Sequence, residues 1–150
     1  MSAALPPLPL TAIDVHAPAV DWRAAVRLAG AALGRSRAAR PGYAEDMIRM
    51  VEDHGPYIVI APGLALAHAR PGPEVLAEGL AVVTLRRPVR FGHPYNDPVS
   101  VVVGLAVIDP RRHLSAVAAL ASVLDDPDAV AALARAQTPE EIQRIVAARG

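Results

Sequence analysis

The chain of 150 residues predicts an α/β domain in which a small mixed β-sheet is flanked by helices. Three observations carry that expectation. Helical periodicity occupies two stretches near the N-terminus and three after residue 109. Short apolar runs rich in β-branched residues fill the middle of the chain. Apolar residues make up 53% of the sequence, enough to bury a real core. No internal repeat, low-complexity tract or long linker divides the chain, so 1–150 reads as one domain, with 1–19 as an extended N-terminal arm rich in Pro and Ala.

Asp21 is placed to cap a helix from Trp22 to Leu33, with Gly34 to end it. Trp22, Ala25, Val26, Ala29, Ala32 and Leu33 fall on one face. Residues 34–42 form a basic loop punctuated by Gly and Pro. A second helix fits 43–54, with Tyr43, Met47, Met50 and Val51 inward and Glu45, Asp46, Glu52 and Asp53 outward. Gly55-Pro56 stops it, and His54 sits at its C-terminal end. YIVIA (57–61), LAVVTLR (80–86) and VSVVVGLAVI (99–108) read as strands covered on both faces. FGHPYNDP (91–98) is a turn cluster holding His93. Asp109-Pro110 opens a third helix, with Leu114, Val117, Ala121 and Leu124 on its inner face. Asp126-Pro127 starts a fourth. Thr138-Pro139-Glu140-Glu141 is a capping box that opens the last, through Ala148.

Composition narrows the chemistry. Fifteen basic and fifteen acidic residues give zero net charge, so neither a nucleic-acid partner nor a polybasic membrane anchor is expected. There is no Cys, hence no disulfide, thiolate metal site or cysteine nucleophile in this chain. The longest central apolar run is too short for a bilayer, which needs about 20 residues, and the N-terminus has no signal-peptide pattern. A cytoplasmic location is the resulting expectation. There is no Lys, so no Walker motif can form. Neither a dinucleotide glycine fingerprint nor a nucleophile elbow occurs. The five histidines, at 16, 54, 68, 93 and 113, are never three or four apart, so no local helical metal site is expected. No cofactor is expected either.

Two histidines stand in unusual company. His68 lies in APGLALAHARP (61–71), after the predicted strand 57–61, where small Ala65, Ala67 and Ala69 would leave room around the ring. His113 falls on the first turn of the helix opened by Asp109, beside Arg111 and Arg112. Free amides, two guanidinium groups and an imidazole there would suit an anion. A structural role for either ring, and a solvated turn for the arginine pair, remain open on these grounds alone.

GPYIVIAPGLALAHARP (55–71) and FGHPYNDPVSVVVGLAVIDPRRHL (91–114), in this order and at this separation, resemble the enzyme IIA components of the bacterial phosphoenolpyruvate:sugar phosphotransferase system. The likeness is to the mannitol/fructose-type superfamily, most closely its ascorbate branch, and runs from about Trp22 onward. It implies a mannitol-type enzyme IIA fold and a phosphohistidine intermediate. The His of the A-[LP]-x-H-A segment is the phosphorylated one, here His68. A second active-site His opens the helix after the long apolar strand, here His113. The family's donor is phosphorylated HPr. Its acceptor is a cysteine of enzyme IIB, which passes the group on to a sugar carried by a membrane component, so the membrane is met only indirectly. Relatives commonly carry Pro before the phosphorylated His, where this chain has Ala67. Mannitol-type relatives also carry an active-site Arg on the preceding helix, for which Arg49 is the nearest candidate.

The chemistry asks for a neutral imidazole, one nitrogen attacking while the other is hydrogen-bonded to a backbone carbonyl. His113 and the amides at its helix start would stabilise the charge spread over the phosphoryl oxygens, with Arg111 and Arg112 as a local basic rim. Two other roles compete. One is a regulatory enzyme IIA of nitrogen type, signalling by phosphorylation-dependent partner binding. The other is a binding domain that has lost the relay.

Overall fold

A computed structural model describes residues 5–149. The first four residues of the predicted arm lie outside the described residues. The rest of the arm is built into the domain. Leu10–Ala12 form a short 3-10 turn, and Ile13–Ala17 form β1, a strand at one edge of the sheet. It was not foreseen because it is short and irregular. Its register shifts between Asp14 and Ala17, and His16 sits at a φ of +52°.

The remaining elements are α1 (Trp22–Arg35), α2 (Gly42–His54), β2 (Val59–Ala61), β3 (Leu64–His68), β4 (Gly79–Val89), β5 (Val99–Ala106), α3 (Pro110–Leu124), α4 (Pro127–Arg135) and α5 (Pro139–Arg149). The sheet order is β1-β4-β5-β3-β2. β1 runs parallel to β4 and β3 parallel to β5, while β4/β5 and β2/β3 are antiparallel. The mixed sheet expected from the sequence is therefore present, with helices on both faces. Among the described residues no helix is long and apolar enough to cross a membrane.

The two faces differ in side-chain size. Leu64, Leu66, Leu80, Val82, Val101, Val103 and Leu105 point toward α3, α4 and α5, where Leu120, Leu124, Leu133 and Ile142 complete a core. Ala65, Ala67, Ala81 and Ala106 face α1 and α2. Their smallness lets those helices lie close to the sheet, and it is used up by packing rather than left as room around His68. α1 and α2 also approach each other closely. A Cβ built on Gly30 would stand 2.5 Å from the Cβ of Ala44.

Helix starts follow the sequence signals. Asp21 accepts from the amide of Ala24 at 2.8 Å. Asp109 accepts from Arg112 at 2.9 Å, and Thr138 accepts from Glu141 at 3.2 Å. On α3 the inner face is Ala116, Leu120 and Leu124, with Val117 half-buried against the same core; Leu124 and Val117 of the predicted stripe face inward, whereas Leu114 is 73% exposed.

The segment 57–61 needs more correction. Only Val59–Ala61 are extended, at the outer edge of the sheet, and Ile60 is exposed. The buried strand is the next one, β3. The two are joined by Pro62-Gly63, where Gly63 takes a φ of +79°, a conformation that suits glycine at the second central position of a type II turn. The runs 80–86 and 99–108 are strands with shifted ends.

Candidate functional site

β3 and β5 are neighbours and parallel, so their C-terminal ends open on the same edge of the sheet. His68 is the last residue of β3, paired in register with Leu105. It is thus held within the ladder rather than in a loop beyond strand 57–61. Three residues after β5, Asp109 caps α3 and puts His113 on its first turn, with the His113 amide donating to the Asp109 carbonyl at 3.0 Å. The sequence-predicted pair is brought together: the two imidazole centroids are 5.1 Å apart.

The His68 ring is tethered on one side. Its Nδ1 donates to the carbonyl of Leu66 at 2.9 Å, an arrangement that puts the proton on Nδ1 and the lone pair on Nε2. Tyr57, 42% exposed, stands edge-on to His68 at 5.9 Å and edge-on to His54 at 6.3 Å. His68 is therefore flanked by Tyr57 on one side and His113 on another. Nδ1 of His113 is buried without a hydrogen-bond partner.

Both imidazoles are held below the ordinary histidine range. Burial does most of this for His68, opposed by the bond to Leu66, which favours the charged ring. For His113 burial again comes first, followed by repulsion from a charged His68. Both rings are therefore neutral at neutral pH. Tyr57 is pushed up by partial burial and pulled back by the charge of Arg70.

The predicted basic rim needs correction. Arg112 is taken by Glu78, with its Nε and Nη2 donating to the two carboxylate oxygens. The Arg112 amide is used by Asp109. Arg111 is exposed on the first turn and is the guanidinium left of the pair. Arg49 lies 3.7 Å from Asp46 on α2 and borders a cavity of about 280 Å³ whose opposite wall is Ala69 to Gly72, directly after His68.

Two of the other histidines are bonded away from the site. His93 Nδ1 accepts from the amides of Tyr95 and Asn96 at 3.2 and 3.0 Å. His16 Nε2 lies 3.3 Å from the carbonyl of Ala134. Two neighbours of the site carry no signal in the sequence. Tyr57 lies before β2 rather than within a buried strand. Tyr43 points inward as its position on the helix predicts, but the place of its hydroxyl between Leu105 and Ala69 is set by distant backbone. Among the described residues no cluster of three or more His, Cys, Asp or Glu could hold a metal ion.

Comparison with known proteins adds the following. A family model described as phosphoenolpyruvate-dependent sugar phosphotransferase system, EIIA 2, matches residues 8–148. The ascorbate-specific PTS system EIIA component of Shigella boydii is 33% identical over 135 residues, spanning 89% of this chain and 88% of that protein. A PTS IIA domain from Streptococcus pyogenes has the same fold, with a TM-score of 0.83 at 33% identity over 93% of this chain and 90% of that chain. Enzyme IIA of the mannitol system of Escherichia coli, solved in complex with phosphorylated enzyme IIB, matches with a TM-score of 0.80 at 23% identity over 95% of this chain and 99% of that chain. The mannitol-type enzyme IIA fold expected from the sequence is the fold observed.

Proposed function

The chain belongs to the EIIA 2 family of the phosphoenolpyruvate-dependent sugar phosphotransferase system, and we propose that it is a cytoplasmic phosphocarrier whose His68 takes a phosphoryl group from phosphorylated HPr and gives it to a cysteine of a cognate enzyme IIB, in ascorbate-like sugar uptake. The observation that carries this reading is the His68 ring itself: neutral, with Nδ1 tied to Leu66 and Nε2 left free beside His113.

In the first step the Nε2 lone pair attacks phosphorus. The N–P bond to the donor's histidine breaks, and its electron pair returns to that ring. Nδ1 keeps its proton, and the ring's added positive character strengthens the bond to the Leu66 carbonyl. In the second step a thiolate of enzyme IIB attacks phosphorus and the bond to Nε2 breaks. Such transfers have loose transition states, so the protein chiefly positions the groups and stabilises the phosphoryl oxygens. His113 is the neighbour placed for that. Arg111 lies on the same helix turn and can add charge at the rim. Ile108 and Leu114, the residues before Asp109 and after His113, are exposed apolar side chains, which suits a protein partner.

The test is labelling with phosphorylated HPr. The unaltered chain should take up phosphate in an acid-labile form, and His68→Ala should take up none. Normal labelling of that variant would remove His68 from the role. Labelling without onward transfer to any enzyme IIB would favour the regulatory role.

A further inference from the structure

Tyr43 lies on the first turn of α2 and is 1% exposed. An inward aromatic there needs no hydroxyl for packing, and a buried hydroxyl is costly unless it is bonded. This one is bonded at both ends. It donates to the carbonyl of Leu105 at 2.7 Å and accepts from the amide of Ala69 at 3.1 Å. Leu105 is the cross-strand partner of His68, and Ala69 is the residue after it. The β5 carbonyl belongs to the strand that leads, four residues on, into the cap of His113. One side-chain oxygen thus joins the backbone carrying the first imidazole to the backbone delivering the second, at the last registered pair of the β3/β5 ladder.

We propose that Tyr43 is a positioning residue of the relay: its hydroxyl sets the spacing and orientation of the His68–His113 pair by clamping the ends of β3 and β5. The phenol is pushed up to about 12, chiefly by burial, so it keeps its donor proton wherever the histidines titrate. The proposal rests on the phosphocarrier reading for its kinetic consequence but not for its structural one.

The experiment compares the unaltered chain with Tyr43→Phe and with Thr84→Val. Thr84 is the matched control. It is fully buried, its hydroxyl accepts from the His16 amide at 2.8 Å, and it lies toward the far end of β4 from His68. Three quantities are read: the tautomer and titration of the His68 ring by nitrogen-15 NMR, kcat and KM for uptake from phosphorylated HPr, and the folded content by near-ultraviolet circular dichroism. Tyr43→Phe should be folded, show mixed His68 tautomers, and lose about tenfold to a hundredfold in kcat with little change in KM. Thr84→Val should match the unaltered chain in ring signals and in kcat. Unchanged ring signals and kcat in Tyr43→Phe would overturn the proposal, as would equal losses in both variants. Should Tyr43→Phe fail to fold, amide exchange in the unaltered chain decides. Ala69 protected like the core strands supports the clamp, and Ala69 exchanging like residues 71–75 contradicts it. If the unaltered chain takes up no phosphate, the relay reading fails, while the ring signals still decide whether Tyr43 sets the pair.

Discussion

Two turns of this molecule place a histidine and an Asp-Pro pair in opposite order. One, before β5, reads His93-Pro-Tyr-Asn-Asp97-Pro. The other, after β5, reads Asp109-Pro-Arg-Arg-His113. In the first, the carboxylate and the ring both accept from local amides. Asp97 accepts from the amides of Phe91, Gly92 and His93, and His93 accepts from two more. In the second, Asp109 caps its helix in the same way, but the histidine ring is left over. Nδ1 of His113 is buried without a partner, and the ring lies against His68. A histidine whose Nδ1 is spent on its own loop holds the loop. One positioned by its loop but not spent on it is available for chemistry. At the site, burial lowers both imidazoles and so keeps their lone pairs free.

Substitutions can break this comparison from its strongest side first. His113→Ala should still accept phosphate on His68, yet pass it on about a hundredfold more slowly, the usual scale for losing one group that stabilises transferring charge. Rapid-quench kinetics with an enzyme IIB acceptor would measure it. His93→Ala should do the reverse, leaving transfer unchanged and lowering stability by about 1 kcal/mol in urea unfolding, for two lost local hydrogen bonds. Transfer damaged equally by both substitutions would end the distinction between the turns.

The pH dependence sharpens it further. A histidine depressed on folding contributes its stabilising effect fully above the unfolded value of about 6.5. That effect is lost as pH falls from there through the depressed folded value, because the unfolded chain then binds protons more readily. Stability should therefore decline below about pH 6.5. His68→Gln and His113→Gln should each flatten that decline, as followed by urea unfolding between neutral and acid pH. The smallest expected effect is at the Arg112–Glu78 pair. Arg112 is solvent-exposed, so Glu78→Gln should leave phosphate uptake unchanged. A marked loss of uptake would show that the pair helps aim α3 at His68.

Helices and their caps were legible in the sequence because Asp21, Asp109-Pro110 and Thr138 act on amides within a few residues of themselves. The pairing of His68 with His113 came from the resemblance carried by segments 55–71 and 91–114, and the parallel β3/β5 neighbours explain it physically. What escaped was set by distant partners. β3 was hidden because an alternation of Leu with Ala reads weakly as a strand until helices press on its alanine face. The Tyr43 hydroxyl meets partners 26 and 62 residues away, and Arg112 is claimed by a glutamate 34 residues before it. Local pattern carries no signal of either. The place where relatives commonly have Pro is likewise explained only in three dimensions. Ala67 is fully buried within β3 and paired with Gly104, so the ladder itself restrains the backbone there.

The central claim is that His68 keeps its proton on Nδ1 and uses Nε2. Nitrogen-15 and phosphorus-31 NMR of the chain after treatment with phosphorylated HPr tests it most directly. Phosphorus coupled to Nε2 of His68, with Nδ1 still protonated and bonded to Leu66, is the expected result. Phosphorus on Nδ1 of His68, or on His113 or His93, would contradict it.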